Sequence, residues 1–231
     1  MEAIILAGGK AERLGDAAAG RPKALVPIAG RPLAAYQIAR LAAAGVGRVI
    51  VSCAAGQEAA FEGELARAGP EVVAAGEPER LGRGGGIRFA AARRSEEGDL
   101  FALNGDELLD VDFAALLATH RASGAAATLA VARPPSPFGV VELGADDAVT
   151  GFREGGRIPY WVNCGVYVLS PEALACFPER GDHESTAFPE LARAGRLRAF
   201  RHEGLWLTVN TPKDLRVAEE HVVAHPEWLG A

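Results

Sequence analysis

Short apolar runs alternate with helical patterns from residue 3 to residue 132, and this alternation constrains the fold more than any other feature of the chain. Residues 3–7, 48–53, 71–75, 100–104 and 125–132 read as strands, and 33–44, 57–68, 85–94 and 113–123 read as helices. The strands are apolar almost throughout instead of alternating, as strands covered on both faces are. That rhythm predicts an α/β fold: a Rossmann-like three-layer α/β/α body with a mostly parallel central sheet. Gly8-Gly9 ends the first strand, and Gly45 stands where a glycine closes a helix.

Beyond Pro134-Pro135 the pattern changes. Segments 138–143 and 149–154 flank Asp146-Asp147 as a hairpin, and 161–169 is a longer strand. Helices follow around 171–176 and 187–194, with strands near 197–201 and 206–208. A last helix opens with Thr211 as N-cap and Pro212 in its first turn. The expectation is one body over 1–231. Residues 1–132 carry the parallel sheet, and 133–231 add a small mixed β subdomain and the C-terminal helix.

Charge narrows the partners. Thirty acidic against 24 basic residues give a net charge of −6, which argues against nucleic acid and against an anionic membrane surface. No run reaches the length of a membrane span, and Met1 to Leu6 lacks a basic leader region, so a soluble cytoplasmic protein is expected. Cys53, Cys164 and Cys176 lie far apart, with neither disulfide nor zinc spacing, and are expected to be buried thiols in a reducing compartment.

Open α/β sheets bind ligands beyond the carboxyl ends of their strands, so those ends are where chemistry is sought. Three segments stand there. In the first, Leu6-Ala7-Gly8-Gly9 runs into Lys10, Arg13, Arg21 and Lys23; only three lysines face 21 arginines in the chain, and two of the three sit here. Paired glycines let backbone amides approach a phosphate, and a lysine is the compact point charge for its oxygens. The order matches neither the P-loop nor the dinucleotide fingerprint. The second, Glu77 to Ile87, places Gly84-Gly85-Gly86 at a helix start, where a flat ligand can lie on bare backbone and an anion is favoured. The third is Asn104-Gly105-Asp106, whose carboxylate can hold a hard cation such as Mg²⁺. Each block alone is equally compatible with an ordinary turn.

Taken in order, the three blocks resemble the sugar-1-phosphate nucleotidylyltransferases. Phe138-Gly139-Val140-Val141, Phe152-Arg153-Glu154, Asn163-Cys164-Gly165-Val166-Tyr167 and the segment from Trp206 through Thr211-Pro212 to Leu215 agree, so the likeness runs from Met1 to about Leu215. The resemblance implies NTP and a sugar 1-phosphate as substrates, pyrophosphate and an NDP-sugar as products, Mg²⁺ as cofactor and direct attack on the α-phosphorus. It makes 1–132 the nucleotide-binding part and 133–231 the sugar-binding part. Arg13, Lys23 and Asp106 would be catalytic, with Asp106 the metal ligand. Leu6, Ala7, Gly8, Gly9, Arg13, Lys23, Glu77, Gly84, Gly85 and Asp106 would contact the nucleotide, and Gly139, Glu154, Asn163 and Gly165 the sugar. A homo-oligomer is a further expectation, since the family often forms them.

Three positions depart from the family pattern. Ala11 stands where the family usually has Gly. Gly155 replaces the lysine that binds the sugar phosphate, leaving Arg153 and Arg157 as the nearest cations; the muramic acid 1-phosphate uridylyltransferases also lack it and keep a Gly-Gly-Gly-Ile segment like Gly84–Ile87. Thr208 replaces a second metal-binding Asp, with Asn210 two residues on, and a hydroxyl is a poorer Mg²⁺ ligand than a carboxylate. Asp110 and Asp112 read as the start of the next helix. Glu77 only accepts hydrogen bonds, which suits the N1–H and N2–H₂ donors of guanine and puts GTP first and UTP second. The alternatives are a non-catalytic nucleotide-binding member and a nucleotidyltransferase with another acceptor.

Overall fold

The first strand, β1 (Glu2–Leu6), is almost fully buried and lies in the interior of a seven-stranded sheet. The computed structural model describes residues 1–9, 11–136 and 138–228. After β1 come the short hairpin of β2 (Pro27–Ile28) and β3 (Arg31–Pro32), then α1 (Leu33–Ala43) and β4 (Arg48–Ala54). Next are α2 (Glu58–Leu65), β5 (Glu71–Glu77), α3 (Gly82–Ala91), β6 (Leu100–Asn104), β7 (Glu107–Leu109), α4 (Phe113–Ser123) and β8 (Ala127–Ala132). The second half contains β9 (Val140–Leu143), β10 (Val149–Arg153), β11 (Val162–Leu169), α5 (Pro171–Ala175) and α6 (Ala187–Arg193). It ends with β12 (Leu197–Arg201), β13 (Trp206–Thr208) and α7 (Pro212–Ala224).

The sheet order is β12-β8-β11-β6-β1-β4-β5, and every adjacent pair is parallel except the two that β11 makes. Connections leave β1 toward β4 on one side while β6 flanks it on the other, so the chain reverses direction of travel at β1. A crevice opens at such a switch point, beyond the strands' carboxyl ends. One apolar cluster covers one face of the sheet with α1, α2 and α4, and a second covers the other with α3 and α6. A third, around Leu14, Val26, Tyr36, Leu108 and Trp228, seats α7. The fold is thus the expected three-layer α/β/α body. The small antiparallel pieces are the β2–β3 and β9–β10 hairpins and the β7–β13 ribbon, while β11 and β12 join the main sheet.

Several boundaries differ from the sequence reading. Strand β5 runs on to Glu77, because its register with β4 continues to Ala54. Helix α3 starts at Gly82, so the glycine cluster lies inside its first turns instead of before them. The cause is a loop, 178–183, that docks on those turns: the Gly84 and Gly85 amides donate to Gly181 O at 2.9 and 3.2 Å. Cys176 is exposed, contrary to expectation, because it ends α5 on the surface; Cys53 and Cys164 are buried, and burial pushes both thiols up to about 12. Thr211 caps α7 in a reciprocal capping box with Asp214, and Asp112 caps α4 through Ala115 N. No described helix is long and apolar enough to cross a membrane.

Candidate active site

The crevice opens at the ends of β1 and β6. At the end of β1, Ala7 N donates to Ser52 O of β4 (2.7 Å), which aligns the chain entering Gly8-Gly9. At the end of β6, Gly105 N donates to Leu6 O (2.8 Å), and a Cβ at 105 would lie 2.6 Å from that oxygen. Only glycine allows so close a crossing, and it turns Asp106 into the cleft. Gln37 of α1, fully buried, locks this turn by donating to Asn104 O (2.9 Å) and Glu107 O (2.8 Å). Val209 N donates to Asp106 O (2.9 Å), which brings the 206–210 segment alongside.

These elements gather a charged cluster. Lys23, on a single 3-10 turn, places Nζ 2.7 Å from Asp106 Oδ2 and 2.5 Å from Asn210 Oδ1. Arg13 Nη2 donates to the same Asn210 oxygen at 3.1 Å. One carbonyl oxygen thus orients two cations, and two cations side by side over an open cleft favour a polyphosphate. Arg21 is turned away from this cluster, onto Glu64 and Leu25 O. Lys10 lies outside the described residues.

The cleft has two lobes that share Gly8, Gly9, Glu77 and Arg80. One, of about 570 Å³, is lined by Ala11, Gly15, Pro22 and Gln57; the other, of about 450 Å³, by Leu6, Ala7, Lys23, Asp106, Arg83 and Asp182. Glu77 lies between them, nearly buried, with Oε1 accepting from Ser52 Oγ (2.6 Å) and Oε2 from Leu81 N (3.0 Å).

A family model for nucleotidyl transferases matches residues 2–224. The chain belongs to the sugar-1-phosphate nucleotidylyltransferases of this family. It is similar to the mannose-1-phosphate guanylyltransferase catalytic subunit beta of Xenopus tropicalis, at 30% identity over 244 residues, 99% of this chain and 68% of that protein. It is also similar to the mannose-1-phosphate guanylyltransferase of Mycobacterium tuberculosis, at 32% identity over 93% of this chain and 62% of the relative. Among solved structures, HddC from Yersinia pseudotuberculosis has a TM-score of 0.73 at 23% identity, covering 95% of this chain and 98% of its own. A putative glucose-1-phosphate thymidylyltransferase from Bacillus anthracis has 0.74 at 16%, covering 96% and 94%. These two show the shared fold.

Within this nucleotidylyltransferase, the residues expected at the site fall into three groups. Leu6, Ala7, Gly8, Gly9, Lys23, Glu77 and Asp106 line the cleft, and Arg13 reaches it through Asn210. Gly165 and Asn163 sit beside it: Gly165 has φ +69° and its Cβ position is filled by the Asn104 amide, while Asn163 Oδ1 accepts from Gly165 N at 2.9 Å. Asn163 Nδ2 donates to Glu184 Oε1 (2.8 Å), and Glu184 pairs with Arg83 at 2.7 Å. Gly139 and Glu154 stand apart on the β9–β10 hairpin, where the Phe152 ring covers Gly139. Neither lines either lobe, and neither do Arg153, paired with Glu142, or Arg157, bonded to Arg133 O. Gly84 and Gly85 lie under loop 178–183, where Cβ atoms would come within 2.7 Å of His183 N and 2.6 Å of Glu179 O. Gly84 and Gly85, expected to face a ligand, therefore meet protein backbone, while Gly86 faces the Glu77 carboxylate.

Thr208 is the cross-strand partner of Glu107, the residue after Asp106. Burial and the neighbouring Asp106 carboxylate push the Glu107 carboxyl up to about 8, against the opposing pull of the Trp206 indole N–H at 2.6 Å and of Asn104. Among the described residues no three His, Cys, Asp or Glu gather as a closed metal site. Asp106 lines the cleft as a single carboxylate, while Thr208 pairs with the next residue, Glu107. The Asp106 carboxylate fits a Mg²⁺ that keeps phosphate oxygens and waters as its other ligands.

Proposed function

We propose that this chain transfers a guanylyl group from GTP to a hexose 1-phosphate, with mannose 1-phosphate the first acceptor to try, and releases pyrophosphate. The observation that carries this reading is the Lys23–Asp106–Asn210–Arg13 cluster, set at the switch point of the sheet beneath Gly8-Gly9. The names of the sequence relatives support both the base and the acceptor.

A phosphate oxygen of the sugar phosphate attacks the α-phosphorus. The bond from that phosphorus to the β-bridging oxygen breaks, and pyrophosphate leaves with the electron pair. Backbone amides at Gly8 and Gly9 hold the phosphates, and Arg13 stabilises the leaving pyrophosphate. Lys23 exchanges Asp106 for phosphate oxygens near the reacting phosphorus. Asp106 would hold Mg²⁺, which when bound neutralises phosphate charge. Positioning and charge stabilisation together supply the rate, with no covalent enzyme intermediate. Glu77 accepts from guanine N1–H and N2–H₂ where the two lobes meet. Asn163 and Gly165 hold the sugar, while Glu154 and Gly139, on the β9–β10 hairpin, line neither lobe.

Thr208 favours a second reading, a member that binds nucleotide without turnover, because a neutral hydroxyl stands where the family has a carboxylate. Pyrophosphate release from GTP, UTP, dTTP, ATP and CTP, each against a panel of hexose 1-phosphates with Mg²⁺, decides between them. GTP should give the highest rate. Equal or better use of UTP or dTTP overturns the base assignment, and no release with any pair establishes the second reading.

A further inference from the structure

Ser52 is the polar residue in the otherwise apolar Val49-Ile50-Val51-Ser52-Cys53 stretch of β4, and it is completely buried. A buried hydroxyl is costly unless it is bonded, so its partner indicates its use. Its oxygen lies 2.6 Å from Glu77 Oε1 and 3.2 Å from Gly86 O. The hydroxyl has one proton, and the shorter distance and the negative charge direct it to Glu77. The other Glu77 oxygen takes the Leu81 amide at 3.0 Å.

The space around that carboxylate is built to size. A Cβ on Gly86 would lie 2.8 Å from Glu77 Oε1 and one on Gly8 would lie 3.6 Å from it. Glu77 is thus boxed by two glycines, one hydroxyl and one amide, and still lines both lobes of the cleft. Each carboxylate oxygen has two lone pairs, and each has spent one on the protein. One acceptor per oxygen remains, in a plane fixed by Ser52 and Leu81.

We infer that Ser52 is a positioning residue for base selection: its hydroxyl fixes the Glu77 carboxylate so that its two free lone pairs present a side-by-side acceptor pair to a base with two adjacent N–H donors. The inference rests on the proposed base-side role of Glu77. Inosine keeps the N1–H and lacks the exocyclic amine, so the GTP to ITP ratio of kcat/KM reports whether both oxygens are aimed. A carboxylate free to turn can still meet one donor but no longer selects for two.

The test is the nucleotide preference of wild type, Ser52→Ala and Ser52→Thr with one hexose 1-phosphate. Wild type should favour GTP over ITP by tenfold or more. Ser52→Ala should bring that ratio within threefold and raise the KM for GTP, leaving the KM for the sugar phosphate within twofold. Ser52→Thr, which keeps the hydroxyl, should restore the ratio. A Ser52→Ala enzyme with the wild-type ratio overturns the inference, as does one that loses GTP and ITP use equally. Should wild type prefer UTP, guanine reading by Glu77 fails, and the same variant still decides for Ser52: a flattened preference among nucleotides supports its positioning role, and an unchanged one overturns it.

Discussion

His183 is completely buried, and neither ring nitrogen has a hydrogen-bond partner among the described residues. Its ring stacks on Phe177 with centroids 4.9 Å apart and planes 5° from parallel, and Tyr167 and Phe188 meet it edge-on. Burial lowers it from 6.5 to about 4; the Asp182 carboxylate, 4.0 Å away, opposes that shift, and Arg83 adds to it. The folded state therefore prefers the neutral ring. Stability is complete above pH 6.5, where the unfolded chain is also neutral. As pH falls the unfolded chain takes up a proton and the folded chain does not, so stability is lost progressively until pH reaches about 4. Between pH 7 and pH 5 the loss is about 2 kcal/mol, from ~1.4 kcal/mol for each pH unit below the unfolded value. His183→Leu removes two unpaired polar atoms from an aromatic pocket, which should stabilise the protein by roughly 1 kcal/mol at pH 7. At pH 5 the gain should reach about 3 kcal/mol. For a chain of this length the extra 2 kcal/mol corresponds to roughly 4 °C in Tm. Urea unfolding of wild type and variant at both pH values measures the difference directly. Parallel pH dependence in the two proteins would refute the reasoning, because it would show that His183 takes up its proton equally in both states.

Lys23→Met should lower turnover by roughly a hundredfold or more, the cost of one charge-stabilising group, with Tm within a few degrees, because Asp106 is a third exposed and stays hydrated; a folding loss as large as the loss of activity would assign Lys23 a structural part. Glu77→Gln should lower kcat/KM for GTP by about ten- to a hundredfold through a lost charged acceptor and leave UTP use unchanged, and competition between the two nucleotides reads this directly. Thr208→Asp restores a second carboxylate opposite Glu107. The Mg²⁺ concentration for half-maximal rate should lie in the millimolar range for wild type and fall severalfold in the variant. A wild type already saturated by micromolar Mg²⁺ would show that another group completes the metal site.

Local sequence carried those parts of the site that local structure makes. The apolar β1 ending in Gly8-Gly9, and β6 ending in Asn104-Gly105-Asp106, are strand and turn signals within a few residues, and both form as expected. The capping box of α7 is equally local. What was not legible is held by contacts distant in the chain. Asn210 meets Lys23 from 187 residues away, and nothing in the sequence around either residue marks the other as its partner. Gln37 looks like one residue of an Ala/Leu-rich helix until the β6 turn packs on it. The glycines of α3 read as a bare face because loop 178–183, which fills that face, lies nearly a hundred residues downstream. Strand β7 has three residues, too few for any period to show, whereas β13 forms where it was expected. Ser52 offered the one signal that could have been used, a hydroxyl inside a Val/Ile strand one residue before the strand's buried cysteine.

The central claim, attack on the α-phosphorus of GTP by a sugar phosphate, is tested most directly by following one reaction with ³¹P NMR. Protein, GTP, mannose 1-phosphate and Mg²⁺ should convert the three GTP resonances and the sugar phosphomonoester into pyrophosphate and a sugar nucleotide diphosphate in equal amounts, and Asp106→Asn should slow that conversion by orders of magnitude. Release of orthophosphate, or loss of GTP with the sugar phosphate resonance intact, would contradict it.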